Sequence, residues 1–299
     1  MNKFFLIALV VFFSIAACFV YLGFAQGEKA KTIKSIKIGA VEPAAKLLKA
    51  LDADWKIDYK EKKKVRGFDV GIKTSDEAKA IKDFADAKVD AIAITRVFKK
   101  NEIVSYTNRT HRAPVVIPVF KMPIVAVVHK ANAIKQLSID KLRKIFTGEI
   151  KSWRELDKTS VDDKIEVILP PAESAVYREF KKRILKNSDF VKGAIAVNEA
   201  KIAENVKIRT AAIAFLSRCY VPENEPVREV MLTDAKGKKY VLTDADIRKE
   251  VYPLVMTIYF YVSEVKPEAL KLFLDFAKKN PRGIRVYRDN KFVSVKLNE

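Results

Sequence analysis

Glycine is scarce here, nine residues in 299, so the chain has few places where backbone can wrap a phosphate closely. Neither a Walker-type loop nor G-x-G-x-x-G occurs, which removes the usual nucleotide-binding devices. Histidine is rarer still: His111 and His129 lie in different runs, with no cysteine or carboxylate at metal-ligand spacing. A metal centre is therefore not expected, and no cofactor is implied. No G-x-S-x-G elbow is present, so catalysis has no carrier and an enzyme is not expected. Of the two cysteines, Cys18 sits in an apolar leader and Cys219 is alone beyond it. One cysteine makes no internal disulfide, and its setting in AAIAFLSRCY reads as a packing residue at a buried strand or its edge. Tyr220, Tyr252, Tyr259 and Tyr261 suggest a stacking platform, but in strands such aromatics are read first as core.

Apolar residues make up 49% of the chain, enough for two domains of ordinary size. Basic residues outnumber acidic ones 57 to 37, for a formal net charge of +20. They are spread along the chain, which points to a diffusely basic surface and not to a nucleic-acid-binding arm. Residues 1–27 open with Lys3 and continue as an unbroken apolar stretch from Phe4 to Ala25. That is the pattern of an export signal or of an N-terminal membrane anchor, and it is about long enough for either. Gly23 and Ala25 offer small residues for cleavage before Gln26, while Ile15-Ala16-Ala17-Cys18 has the look of a lipidation site. All three routes place the body outside the cytoplasm.

From Thr32 the pattern alternates between β-rich and helical runs. IKSIKIGA and DAIAIT read as strands, PAAKLLKALDADW and SDEAKAIKDFADAKV as helices, the latter opened by Ser75 and Asp76 as capping residues. KVRGFDVGI is a strand or a loop. This order predicts an α/β fold with a largely parallel sheet. APVVIPVFKMPIVAVVHK gives two apolar runs separated by Lys121-Met122-Pro123, a crossing point between domains. A second α/β unit follows: the strand KIEVIL, the helix SAVYREFKKRIL, a short helix from Asn198 to Glu204 and the strand AAIAFL. Asp234 to Lys239 is a polar turn. YPLVMTIYFYV is a strong strand, and PEALKLFLDFAKKN a helix that stops at Pro281 and Gly283.

The stretch LRKIFTGEIKSWREL from Leu142 first reads as an amphipathic helix. Leu142, Ile145 and Phe146 share a face, Ser138 and Asp140 supply capping groups, and Gly148 fits a left-handed C-cap. The longer run from Asn132 to Trp153 is more specific. It resembles a segment of the phosphate-binding proteins of ABC transporters at Asn132, Leu137, Ser138, Leu142, Ile145, Phe146, Gly148, Ile150 and Trp153. VDAIAITRVFKKNE, AAIAFLS and YPLVMTIYFYV are similar to further segments of that family, in the same order. The resemblance runs from about Ile33 to Val295. It implies an α/β, two-lobed type 2 periplasmic-binding-protein fold with a central ligand cleft. Residues 33–121 and 251–299 would form one discontinuous lobe and 122–250 the other.

The family holds phosphate with hydroxyls and backbone N–H groups from four loops and with one arginine. Laid on this sequence, those loops put Val41 and Glu42, Phe68 and Asp69, Thr95 and Arg96, and Glu173, Ser174 and Tyr177 around the cleft. Val41, Phe68 and Val176 then stand where hydroxyls are expected, and Pro170 where the arginine is expected. Thr95 and Ser174 keep their hydroxyls, and Arg96 is the one reserve of positive charge. The implied function is extracytoplasmic solute binding, with a small-molecule or anionic ligand and an ABC transporter permease as partners. The altered loops imply weak hold on phosphate. The alternative is a sensory or structural module of the cell envelope that uses the same fold to bind a partner protein; nucleic acid is not expected, and membrane association would run through the N-terminal segment.

Overall fold

The computed structural model describes residues 35–61, 68–158, 164–263 and 267–295. The apolar leader, with its cleavage and lipidation candidates, lies outside them. No helix among the described residues is long and apolar enough to cross a membrane.

The chain opens with β1 (Ser35–Ala40), α1 (Ala44–Glu61), β2 (Asp69–Thr74), α2 (Glu77–Ala85), β3 (Ala91–Ile94) and α3 (Lys100–Thr110). A 15-residue strand β4 (Val115–His129) follows. Next come β5 (Gln136–Ser138), α4 (Ile139–Thr147), β6 (Glu166–Leu169), α5 (Ala175–Arg183), β7 (Ile195–Ala196), α6 (Ile202–Lys207) and β8 (Ala212–Ser217). The chain closes with β9 (Val227–Glu229), β10 (Met231–Thr233), α7 (Asp244–Arg248), β11 (Val255–Val262), α8 (Pro267–Lys279), α9 (Pro281–Asp289) and β12 (Val293–Ser294).

One sheet runs through the molecule in the order β2-β1-β3-β11-β4-β8-β6-β7. β1 pairs in parallel with β2 and β3, and β6 in parallel with β7 and β8. The joining strands are antiparallel: β11 against β3 and β4, and β4 against β8. The sheet is therefore mixed, not largely parallel, because two long strands carry the chain between its halves. Each half keeps the α/β arrangement that the alternating sequence predicts, and the whole is the type 2 periplasmic-binding-protein fold.

Lys121-Met122-Pro123 does not separate two strands. β4 is continuous there and changes partners: Pro123 is its last residue opposite β11, and Ile124 its first opposite β8. Proline has no N–H to give a ladder, so it fits where one ladder ends. Ile124 N–H is instead bonded to Leu254 O at 2.8 Å, and its carbonyl accepts from Tyr252 Oη at 3.0 Å. Pro118 falls opposite Tyr259, where the β4–β11 register shifts.

α4 is built as its sequence indicates. Ser138 caps it by accepting from Lys141 N, Gly148 closes it at φ 81°, and Leu142, Ile145 and Phe146 are buried. Phe146 packs into a ring cluster with Phe180 and Phe215, the latter two stacked at 3.8 Å between centroids. Trp153 is buried and donates Nε1–H to Ala211 O at 2.9 Å. One large core covers both halves of the sheet, and a smaller one, with Phe84, Phe98, Tyr106 and Tyr261, lies under α2 and α3. Pro281 does more than stop α8: it stands at the start of α9 behind an Asn280 cap. The two helices touch so closely at Gly283 that an added Cβ would lie 2.2 Å from Phe276 O.

Candidate functional site

In parallel α/β units the loops after the carboxyl ends of the strands converge on ligand. Here those ends are Ala40 in β1, Thr74 in β2 and Ile94 in β3, facing Leu169 of β6 and Ser217 of β8. Val41 N–H bonds to Ala93 O at 3.1 Å and Ser75 N–H to Ala40 O at 3.0 Å, so the first three loops are tied into one edge.

Glu77 is the centre of this edge. It is the first residue of α2, just after the Asp76 cap, and its carboxylate is 8% exposed. Oε1 accepts from Thr95 N at 3.2 Å and from Thr95 Oγ1 at 2.6 Å. Oε2 accepts from Arg96 Nε at 3.2 Å and from Arg178 Nη2 at 2.6 Å. Arg178 belongs to the first turn of α5, so this last bond joins the two halves. Hydrogen bonds to a charged group are worth roughly 1.5–3 kcal/mol each, and four on one carboxylate fix it firmly.

The donors are themselves held. Arg96 grips Glu102 with both terminal nitrogens at 2.8 Å. Those bonds raise the Arg96 pKa and hold the Glu102 carboxyl below its usual range. Arg178 Nη1 donates to Glu173 O. Ser174 Oγ caps α5 by accepting from Tyr177 N at 3.1 Å.

A second contact between the halves lies beside the first. Tyr220 Oη donates to the Glu42 carboxylate, and Lys46 Nζ to Cys219 O. The Lys46 ammonium stands 4.3 Å from the Tyr220 ring centroid. Burial first, then the Glu42 carboxylate, push the Tyr220 phenol well above its usual pKa. Behind this contact Glu199 is buried and accepts Ser217 N–H at 2.6 Å. Desolvation raises its carboxyl to about 7. Cys219 is buried 4.0 Å from Met122 Sδ, a packing residue as its sequence setting indicates. Of the four tyrosines read as core, Tyr252 and Tyr261 are buried, whereas Tyr220 is partly exposed at this contact.

Thr95, Arg96, Glu173 and Ser174 are thus brought together through Glu77 and Arg178, and Val41 and Glu42 share their edge. Phe68 and Asp69 are not. Asp69 pairs with Ser35 at the opening of β1, so both stand at the amino end of β2, the length of a strand, roughly 15–20 Å, from the loops. Phe68 is buried against Trp55, whose Nε1–H donates to Phe68 O at 3.1 Å. The residues that follow the carboxyl end of β2 are Ser75, the Asp76 cap and Glu77. Tyr177 turns its ring onto Phe190, 4.6 Å between centroids, and is a packing residue. Arg96 is no free reserve, being committed to Glu77 and Glu102. No arginine stands at Pro170; Arg178, eight positions later, brings a guanidinium to Glu77. The Ser75-Asp76 capping pair is the sequence signal for this helix opening after β2. Among the described residues no group of histidine, cysteine and carboxylate side chains could hold a metal ion.

This architecture, two α/β halves joined by long antiparallel strands with loops meeting between them, is that of the periplasmic-binding-protein class of folds. The chain belongs to the family described as the PBP superfamily domain, whose profile matches residues 25–280. It is similar to the phosphate-binding protein PstS of Staphylococcus haemolyticus (strain JCSC1435), 26% identical over 155 residues, covering 52% of this chain and 49% of that one. PstS of Staphylococcus aureus (strain USA300) is 24% identical over 154 residues, covering 52% and 47%. The chain spans about half the length of the curated relatives it matches. Among solved structures, the ABC-type phosphate transport receptor of Vibrio cholerae superposes with a TM-score of 0.62 at 19% identity, over 86% of this chain and 99% of that one. PstS of Borrelia burgdorferi gives 0.57 at 15% identity, over 88% and 100%.

Proposed function

We propose that the chain is an extracytoplasmic solute-binding protein of the phosphate-importer type whose cleft does not hold free phosphate tightly. The relatives it resembles support the first part, since they are named as phosphate-binding and phosphate-transport proteins. On this reading 33–121 with 251–299 and 122–250 are the two lobes, and Val41, Glu42, Thr95, Arg96, Glu173 and Ser174 line the cleft between them. The apolar Phe4–Ala25 leader carries the body across the membrane or anchors it there, and the partner is a permease.

The observation that carries the second part is the Glu77 carboxylate, which takes both Thr95 donors and a bond from each of two arginines. Two carboxylates, Glu77 and Glu102, already balance Arg96 and Arg178. At the Glu77 contact itself a phosphate dianion meets no arginine left without a carboxylate. Surface charge does not replace such a group, because screened charge steers encounter more than it binds. Isothermal titration of the exported body with phosphate tests this. Weak binding that fades with salt agrees with the proposal; one-to-one, salt-insensitive binding at about a micromolar dissociation constant or below, some 8 kcal/mol, contradicts it.

The pair of contacts made across the halves by the protein's own side chains favours one other reading, an envelope module that binds a partner protein. A screen of small solutes by thermal shift separates the two: a saturable stabiliser identifies the transport reading.

A further inference from the structure

Glu77 is arranged less like one member of a surface ion pair than like a bound ligand. Both of its oxygens are used, by one backbone N–H, one hydroxyl and two guanidinium groups. These donors come from the end of β3 and from α5, while the carboxylate comes from α2. Each donor is also placed without Glu77's help. The Thr95 N–H is backbone at the end of a buried strand, Arg96 is clamped by Glu102 and by Val97 O at 3.1 Å, and Arg178 is tied to Glu173 O. A set of donors that stays in position when its acceptor is removed is a preorganised binding site.

We propose that Thr95, Arg96 and Arg178 form an oxyanion site, and that the Glu77 carboxylate is its built-in occupant, shutting free oxyanions out. This rests on the cleft reading above and deepens it: Glu77 is the specificity-determining residue that turns a phosphate-type cleft into one that refuses phosphate. With Glu77 gone, Arg96 and Arg178 face Glu102 alone, leaving one net positive charge. The vacated site therefore suits a small singly charged oxyanion, either a carboxylate or the monoanion of a tetrahedral acid. The same bonds that fill the site also hold the halves together, since Arg178 reaches Glu77 from the other half of the sheet.

The test compares the wild-type protein with Glu77→Ala, titrating each with acetate and with inorganic phosphate by calorimetry and following the melting temperature in parallel. The proposal expects one-to-one binding of at least one of these anions by the variant, about tenfold or more tighter than by the wild type, a difference near 1.4 kcal/mol. Binding of acetate alone identifies a carboxylate site, and binding of phosphate as well a general oxyanion site; either supports it. Glu77→Ala/Arg178→Met is expected to lose the gain, which ties it to this site. A cooperatively folded Glu77→Ala that binds neither anion better than the wild type overturns the proposal while leaving the weak-phosphate reading in place. Tight phosphate binding by the wild type itself overturns both. Should the alanine variant not fold, Glu77→Gln takes its place: acetate or phosphate raising its melting temperature more than the wild type's supports the proposal, and an equal response overturns it.

Discussion

Glu77 and Arg178 lie 101 positions apart in the chain and meet at 2.6 Å across the two halves of the sheet. The carboxylate is buried and the guanidinium side chain is 45% exposed, so one end of the bond is protected from water and the other is not. Such a bond is stronger than a surface pair yet still open to salt. Its neighbour, Tyr220 on Glu42, joins the same two halves in the same direction, but there the carboxylate is exposed.

Arg178→Met should therefore loosen the halves without unfolding them. Thr95 and Arg96 still hold the Glu77 carboxylate, so the loss is one charged hydrogen bond, about 1–2 kcal/mol after discounting for exposure. In a chain of this size that lowers the melting temperature by a few degrees. Scattering should show a larger radius of gyration, and the difference from wild type should shrink at high salt. An unchanged radius at low salt would mean that the Tyr220–Glu42 and Lys46–Cys219 contacts alone hold the halves.

Thr95→Val separates the hydroxyl from the backbone donor at one residue. The shape is nearly kept and the Thr95 N–H still reaches Glu77, but the 2.6 Å bond from Oγ1 is lost. A buried carboxylate oxygen deprived of one donor costs about 1–3 kcal/mol. Chemical denaturation should show this as a lower midpoint with an unchanged slope, because the surface exposed on unfolding is the same.

Why the fold was legible and this contact was not follows from where each is encoded. The run from Asn132 to Trp153 carries the family resemblance, and its residues do local or core work. Asn132 Oδ1 accepts Ile134 N–H at 2.9 Å, Ser138 caps α4, Gly148 ends it, and Leu137, Leu142, Ile145, Phe146 and Trp153 are buried. Periodicity and capping report such roles directly. The residues on Glu77 stand 18, 19 and 101 positions from it, and no spacing rule reaches that far. Phe68 and Asp69 stand at the amino end of β2, and a stretch that reads equally as strand or loop carries no signal of which end of the sheet it occupies. α3 went unread for a related reason: Tyr106 alone is buried along it, so its sequence has no apolar stripe to announce it.

Glu199 sets a pH dependence. Its folded pKa, about 7, lies above the ordinary value of 4.5 because burial disfavours the charged form. Between these values the folded state binds more proton than the unfolded state, so stability falls as pH rises from about 4.5 to 7 and then levels off. The full loss is at most about 3 kcal/mol, at roughly 1.4 kcal/mol per unit. Glu199→Gln keeps an acceptor for Ser217 N–H and removes the ionisation. Its urea midpoint should therefore vary less with pH across that window than the wild type's, with the variant gaining most at neutral pH. A Glu199→Gln profile that runs parallel to the wild type's through the window would show that Glu199 does not titrate there.

Gly148 tests whether the resemblance carried by α4 is structural or functional. Its φ of 81° is one that side-chain-bearing residues rarely adopt, and a Cβ there would lie 2.6 Å from Val191 Cγ2. Val191 in turn gives its N–H to Phe146 O at 2.8 Å, so it cannot withdraw without opening the end of α4. Gly148→Ala should therefore cost about 1–3 kcal/mol, the sum of backbone strain and overpacking. Because α4 contributes no side chain to the Glu77 contact, the response of the cleft to added anions should be unchanged in the folded variant. Loss of stability with the anion response intact would place this motif in the scaffold; a changed anion response at equal stability would place it in the cleft.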